Sequence, residues 1–239
     1  MRTMMIEEVL LFLEEHASEK YKKNVVKLGI PEAETIGVAT ADLRKLAKKM
    51  PKDKVFIQAL WQTGYHECKI LAVLALRPAD FSDEETASFM EEIYSWDLCD
   101  LFCKTVLIKK EDYGQWIRSW IGEDRLYYKR AAFTLIASTS THAELTNDEI
   151  DTYLELIKTN SEDDRLLVKK AASWALRELG KTNEEAREMS IEAAAWLTEQ
   201  ESKAQQWIGK DALKELPLLV KVSGRSRLIS SKSKMGKEV

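Results

Sequence analysis

Apolar positions along this chain recur at helical rather than strand spacing. Between residues 166 and 181, Val168, Ala171, Ala172, Ala175, Leu176 and Leu179 fall at i, i+3, i+4, i+7, i+8 and i+11, which is one stripe of a helix. Start and stop signals frame such segments. Ser82-Asp83-Glu84-Glu85 reads as a capping box, and Asn183-Glu184-Glu185-Ala186 is a similar start. Gly180 after Leu179 marks a stop, and Lys181 suits the negative end of that helix dipole. The stretch Leu28–Ala39, with its Gly, Pro and Thr, is the longest expected loop. Nine glycines and four prolines are too few for the turns of a sandwich or barrel. No Gly-rich phosphate cradle occurs. The pattern predicts an all-α chain.

The helices repeat. Residues 125–132 read Arg-Leu-Tyr-Tyr-Lys-Arg-Ala-Ala, and residues 165–172 read Arg-Leu-Leu-Val-Lys-Lys-Ala-Ala, an offset of 40. Residues 205–212 echo them more weakly, keeping Lys210 and Ala212. Lys69-Ile70-Leu71-Ala72 resembles part of the same helix. A purely helical period of this length predicts HEAT-like helix pairs, which bury their apolar sides by stacking into an α-α superhelix, or solenoid. The expected organisation is one repeat domain over 1–216. After Pro217 the sequence turns basic and serine-rich, so 217–239 is expected to be a flexible tail.

Charge refines this picture. The 239 residues hold 36 Lys/Arg and 40 Asp/Glu, a formal charge of -4, which excludes a globally basic DNA binder but not a local basic face. Residues 203–239 carry 9 Lys/Arg against 3 Asp/Glu, a surplus of six, and so offer an electrostatic hook for nucleic acid or merely a solvated tail. The three cysteines cannot all pair, and Cys99 and Cys103 lie one helical turn apart, which suits buried thiols in a reducing compartment. The apolar run Val9–Leu13 is short and flanked by acids, so neither a signal peptide nor a membrane span is expected. A cytoplasmic protein is the expectation. His16, His66 and His142 are scattered, and Cys99-x3-Cys103 lacks further paired ligands, so no metal and no cofactor is expected.

Two clusters depart from plain core patterning. Trp174 lies off the apolar stripe of its helix, on the side that carries Lys170, Arg177 and Lys181. An aromatic among cations suits a polyanion with flat apolar groups; packing against a neighbouring helix is the alternative. In Ser95-Trp96-Asp97-Leu98-Cys99-Asp100, Ser95 is placed to cap and Asp97 to favour the helix dipole. Trp96 and Asp100 are i, i+4 neighbours on one face. Asp100 lies beyond the first turn, where the dipole has faded, and a salt bridge to Lys104 is its ordinary explanation.

Trp96–Asp100, Lys129-Arg130-Ala131-Ala132-Phe133, Lys170–Glu178 and the run Tyr21-Lys22-Lys23-Asn24 followed by Leu28-Gly29-Ile30 resemble the AlkD-like DNA alkylation repair glycosylases, in that family's order. The resemblance covers about residues 5–216. It implies a HEAT-like solenoid with a concave basic DNA-binding face, acting on double-stranded DNA with alkylated bases and needing no oligomer. It also implies hydrolysis of the N-glycosidic bond of cationic purines such as 3-methyladenine and 7-methylguanine. Asp100 would match the catalytic aspartate, Trp96 and Trp174 the active-site tryptophans, and Arg130 the DNA-contacting arginine. Tyr21 and Arg177 would match further positions near the DNA; Lys170 and Lys181, from the cationic side of Trp174, and Lys129 are candidate DNA contacts beside them. The loop Pro31–Val38 and the basic tail depart from the family pattern.

The chemistry suits these residues. Alkylation at N3 or N7 makes the purine a good leaving group, so a carboxylate need only stabilise the developing oxocarbenium-like sugar and position water. Nothing marks a lysine nucleophile, which predicts a monofunctional hydrolase. The rival is a non-catalytic binder of unusual DNA structures, and a protein-interaction scaffold stands behind it.

Overall fold

A computed structural model describes residues 4–238. Thirteen α-helices are present among them, and the chain divides into two compact units between Lys110 and Glu111. The single repeat domain expected over 1–216 runs across that division. The charged, largely exposed stretch Lys109–Asp112 supplies no apolar side chains to continue the helix pairing there.

The first unit holds α1 (Ile6–Glu15), α2 (Glu19–Val26), α3 (Thr40–Ala47), α4 (Lys54–Gln62), α5 (His66–Ala75), α6 (Asp83–Glu91) and α7 (Trp96–Thr105). Helix α5 is buried on nearly every side and packs against α3, α4 and α7. Its acid Glu67 is buried, and the carboxylate accepts backbone N–H groups from Ile36 at 3.0 Å, Gly37 at 2.7 Å and Val38 at 3.3 Å. Those three bonds replace the water that Glu67 loses on burial. They also tie the expected loop over 28–39 to the core. Gly37 has φ +103°, and a Cβ there would come within 2.7 Å of Lys22 Cβ, so only glycine fits. The Ser82 capping box forms as expected.

The second unit holds α8 (Gly114–Trp120), α9 (Leu126–His142), α10 (Asn147–Asn160), α11 (Leu166–Gly180), α12 (Glu184–Thr198) and α13 (Lys203–Ala212). The three related segments become α9, α11 and α13, the second helices of successive pairs. Arg125 and Arg165 stand at equivalent positions, one residue before each helix. Helix α9 packs on α11 and α11 on α13, while α10 packs on α12. The repeated alanines explain the close approach: Ala131, Ala132, Ala171, Ala172 and Ala212 are all buried. Every residue of the predicted stripe on α11 is buried as well. Asn183 caps α12 through Ala186 N–H at 2.7 Å. Gly180 ends α11 as expected, but without a positive φ. Its role is space: a Cβ there would lie 2.5 Å from Leu216 Cδ2.

The segment after Pro217 is not a flexible tail. Strand β1 (Leu219–Val220) pairs antiparallel with β2 (Ile229–Ser230), and Leu219 and Leu228 are fully buried. Arg187 Nη1 donates to the Leu219 carbonyl at 2.9 Å, and Leu228 N–H donates to the Lys181 carbonyl at 2.8 Å. Apolar anchors spaced between the Ser, Lys and Arg residues hold this segment to the second unit.

Candidate functional site

Helix α7 shows why the two aspartates of its sequence differ. Ser95 precedes the helix in extended backbone, but its hydroxyl makes no capping bond, contrary to expectation. Asp97 takes that place: its Oδ1 accepts Leu98 N–H at 2.9 Å, and its Oδ2 accepts from His66 Nε2 at 3.0 Å. Desolvation raises the Asp97 pKa, but the His66 ring together with the bond from Leu98 N–H and the nearby Ser95 leaves the carboxyl below its ordinary value. His66 therefore ties α5 to α7, and the structural reading of Asp97 holds. Leu98, Cys99, Phe102 and Cys103 are fully buried. Trp96 and Asp100 are half-buried and Lys104 is exposed, so positions 96, 100 and 104 form a line leading out of the core. The spacing argument for a shared Trp96–Asp100 face is met. Cys68 is likewise a buried thiol, and burial pushes its pKa up to about 11.

Helix α11 carries the second group. Trp174 is half-buried on the side away from the apolar stripe, Lys170 is exposed, and Arg177 and Lys181 are half-buried. Two of those cations are not free. Arg177 Nη1 donates to Glu215 Oε2 at 2.8 Å, and Lys181 Nζ lies 2.8 Å from Glu215 Oε1 and 2.9 Å from Glu178 Oε1. Arg227 Nη2 donates to Glu178 Oε2 at 2.8 Å. The chain Arg177–Glu215–Lys181–Glu178–Arg227 thus alternates in sign. For both Glu178 and Glu215, desolvation raises the pKa, yet the flanking cations hold each carboxyl below its ordinary value. The solvated cationic face expected around Trp174 is only partly present.

Helix α9 contributes Arg130 and Lys129. Arg130 is buried, and its Nη1 donates to the Leu167 carbonyl at 2.6 Å, which fastens α9 to the first turn of α11. Lys129 Nζ stands 3.7 Å from Asp163. Tyr21, on α2, hydrogen-bonds through its hydroxyl to Thr40 Oγ1 at 3.3 Å. The expected site residues therefore form two groups. Trp96, Asp100 and Tyr21 belong to the first unit, and Trp174, Lys129, Arg130, Lys170, Arg177 and Lys181 to the second.

Two features escaped the reading of the sequence. On and just after α2, Lys20, Lys23, Asn24 and Lys27 are all exposed at i, i+3, i+4 and i+7. Arg44, Lys45, Lys48 and Lys49 are exposed on and just after α3. The signal was in the composition, since residues 19–54 hold 10 Lys/Arg against 5 Asp/Glu. The other feature is a separation of charge between helix rows in the second unit. Helices α9, α11 and α13 hold 7 Lys/Arg and 2 Asp/Glu, whereas α10 and α12 hold 2 and 8.

The family model of the DNA alkylation repair enzymes matches residues 9–216. The chain belongs to that family. No curated protein matches the sequence of this DNA alkylation repair family member. A solved structure described as "a new family of proteins related to the HEAT-like repeat DNA glycosylases with affinity for branched DNA structures" is similar to it, with a TM-score of 0.73 at 19% identity. The match covers 98% of this chain and 94% of that one, and it establishes the all-α, HEAT-like repeat fold for this family member. Among the described residues, no helix is long and apolar enough to cross a membrane.

Proposed function

We propose that this protein is a monofunctional DNA glycosylase that hydrolyses the N-glycosidic bond of cationic alkylated purines in duplex DNA. The observation that carries this reading is the Trp96–Asp100 face of α7. Asp100 stands half-buried, with an indole one turn before it, on the line leading out of the core, in a member of the DNA alkylation repair family. Asp100 stabilises the oxocarbenium-like sugar as the base departs and positions the attacking water. Trp96 and Trp174 offer apolar faces and π-electrons to the cationic nucleotide. Lys170, with Lys129, Arg177, Lys181 and Tyr21, supplies the groups along the phosphates, whereas Arg130, expected among them, is buried and holds α9 to α11 instead. The cationic row α9–α11–α13 supports this part of the reading.

A second reading is a binder of branched DNA without catalysis. The affinity described for the similar solved structure favours it.

The test is release of 7-methylguanine and 3-methyladenine from methylated duplex DNA by wild type and Asp100→Asn, with binding to duplex and four-way-junction DNA measured alongside. We expect release by wild type, at least about a hundredfold less by Asp100→Asn, and undiminished binding by the variant. Junction binding without release by wild type would establish the second reading. Equal release by both proteins would remove Asp100 from the mechanism.

A further inference from the structure

We propose that the groove between α10 and α12 docks a lysine- or arginine-bearing segment of a partner protein, on a row of helices separate from the one that faces DNA in the reading above. Three observations converge there. The first is shape: Leu154 and Ala193 are buried beneath a 250 Å³ cavity, with Met189 and Trp196 beside them. The second is an exposed aromatic. Trp196 leaves 41% of its surface open, and a large indole in water is costly on a row that could have carried a polar residue there.

The third observation is charge. Helices α10 and α12 carry eight acids against Lys158 and Arg187. Arg187 pairs with Glu188 and Lys158 with Glu155, and Glu149 is engaged in its capping box. Asp151 and Glu192, at the rim of the cavity, are exposed and held by no ion pair among the described residues. The site already demonstrates its preference: Lys158 Nζ stands 5.0 Å from the Trp196 ring centroid, a cation on an indole face at the edge of an acidic rim.

This chemistry selects the occupant. Unpaired carboxylates repel phosphodiesters and anionic lipid surfaces, whereas a peptide cation gains both the rim charges and the free indole surface. The apolar floor asks for an aliphatic side chain beside that cation. Aromatic anchors within a charged rim are also where binding energy concentrates at protein interfaces.

The experiment uses the full chain and a short fluorescein-labelled peptide of lysine and leucine in a Gly-Ser background. Two control peptides replace lysine by glutamate or leucine by serine. Anisotropy at low and high salt reads affinity, and hydrogen exchange on the full chain reads location. The Lys/Leu peptide is expected to bind best, to lose affinity with salt, and to protect α10 and α12. Binding should weaken by about tenfold or more in Trp196→Ala and in Asp151→Lys/Glu192→Lys. Both variants should bind duplex DNA at least as well as wild type. The proposal fails if the Glu/Leu peptide binds equally, if both variants bind the Lys/Leu peptide like wild type, or if protection falls elsewhere. Self-association of wild type that Trp196→Ala abolishes would also overturn it, naming a second copy as the occupant.

Discussion

At the residue scale, two carboxylates on one helix answer to different surroundings. Asp97 and Asp100 lie three residues apart, yet only Asp97 is bound to His66. Helical spacing exposed that difference, because position 97 sits in the first turn and position 100 shares its face with Trp96. Spacing could not expose Glu215, which reaches Arg177 from 38 residues away in sequence. Its effect on function can be measured. Glu215→Gln removes the acid shared by Arg177 and Lys181, which returns positive charge to the face around Trp174. Duplex DNA binding should tighten at low salt, and the plot of log affinity against log salt should steepen by about one unit, as expected for one more neutralised phosphate. An unchanged slope would place Arg177 and Lys181 away from the DNA path.

The acids also set a pH dependence. Asp97, Glu178 and Glu215 all have folded pKa values below their ordinary ones, so the folded state binds fewer protons than the unfolded state through the acid range. Their stabilisation is complete above the unfolded carboxylate pKa of about 4. It is lost as pH falls from there toward the folded values. Glu178→Gln should therefore shrink the drop in urea midpoint between neutral and acidic solution, even though it lowers stability at neutral pH. A drop as large as that of wild type would show that the Arg227–Glu178–Lys181 contacts contribute nothing to acid sensitivity.

At the element scale, legibility followed amphipathic contrast. Helix α11 was readable to within a residue or so because its stripe of Val, Ala and Leu stands against Lys, Trp and Arg. The 40-residue period was readable because α9 and α11 keep Arg, Lys and paired Ala in register. Helix α5 gave only a fragment of that pattern, since a helix buried on nearly all sides lacks a polar face to set the phase, and its Lys69 and Glu67 are themselves buried. Close crossings left another trace. Gly209 on α13 lies against α12, where a Cβ would run into the Ala194 carbonyl oxygen and meet Thr198 Cγ2 at 2.9 Å. Helix propensity alone says that Gly209→Ala should stabilise by about 1 kcal/mol. Packing reverses the sign: backbone cannot yield as a flexible side chain does, so a loss of about 1–3 kcal/mol is expected. Urea unfolding decides between the two, and a gain in midpoint would mean that α12 and α13 separate more readily than their contact implies.

At the scale of the whole molecule, composition was the least reliable guide. The final basic, serine-rich segment resembles a solvated tail by its residue types, and it lies beyond the 9–216 family match. Its fold depends on a few apolar side chains and one arginine. Leu219 and Leu228 are buried, and the Arg227 guanidinium bonds to Ser140 Oγ at 3.0 Å as well as to the Glu178 carbonyl and carboxylate. Removing residues 219–238 would take away the leucines and leave Glu178 with Lys181 alone. It would also free the Lys181 carbonyl and Arg187 Nη1 from their partners. Buried leucines contribute about 2 kcal/mol each, and a charged group deprived of its partner costs more. The truncated chain should therefore melt several degrees lower than the full chain, with the loss of hydrogen-exchange protection centred on α11 and α12. A dispensable tail would leave melting temperature and protection unchanged. A double change, Leu219→Ser with Arg227→Gln, separates anchoring from length: it should reproduce most of the truncation's effect in a chain that keeps every residue.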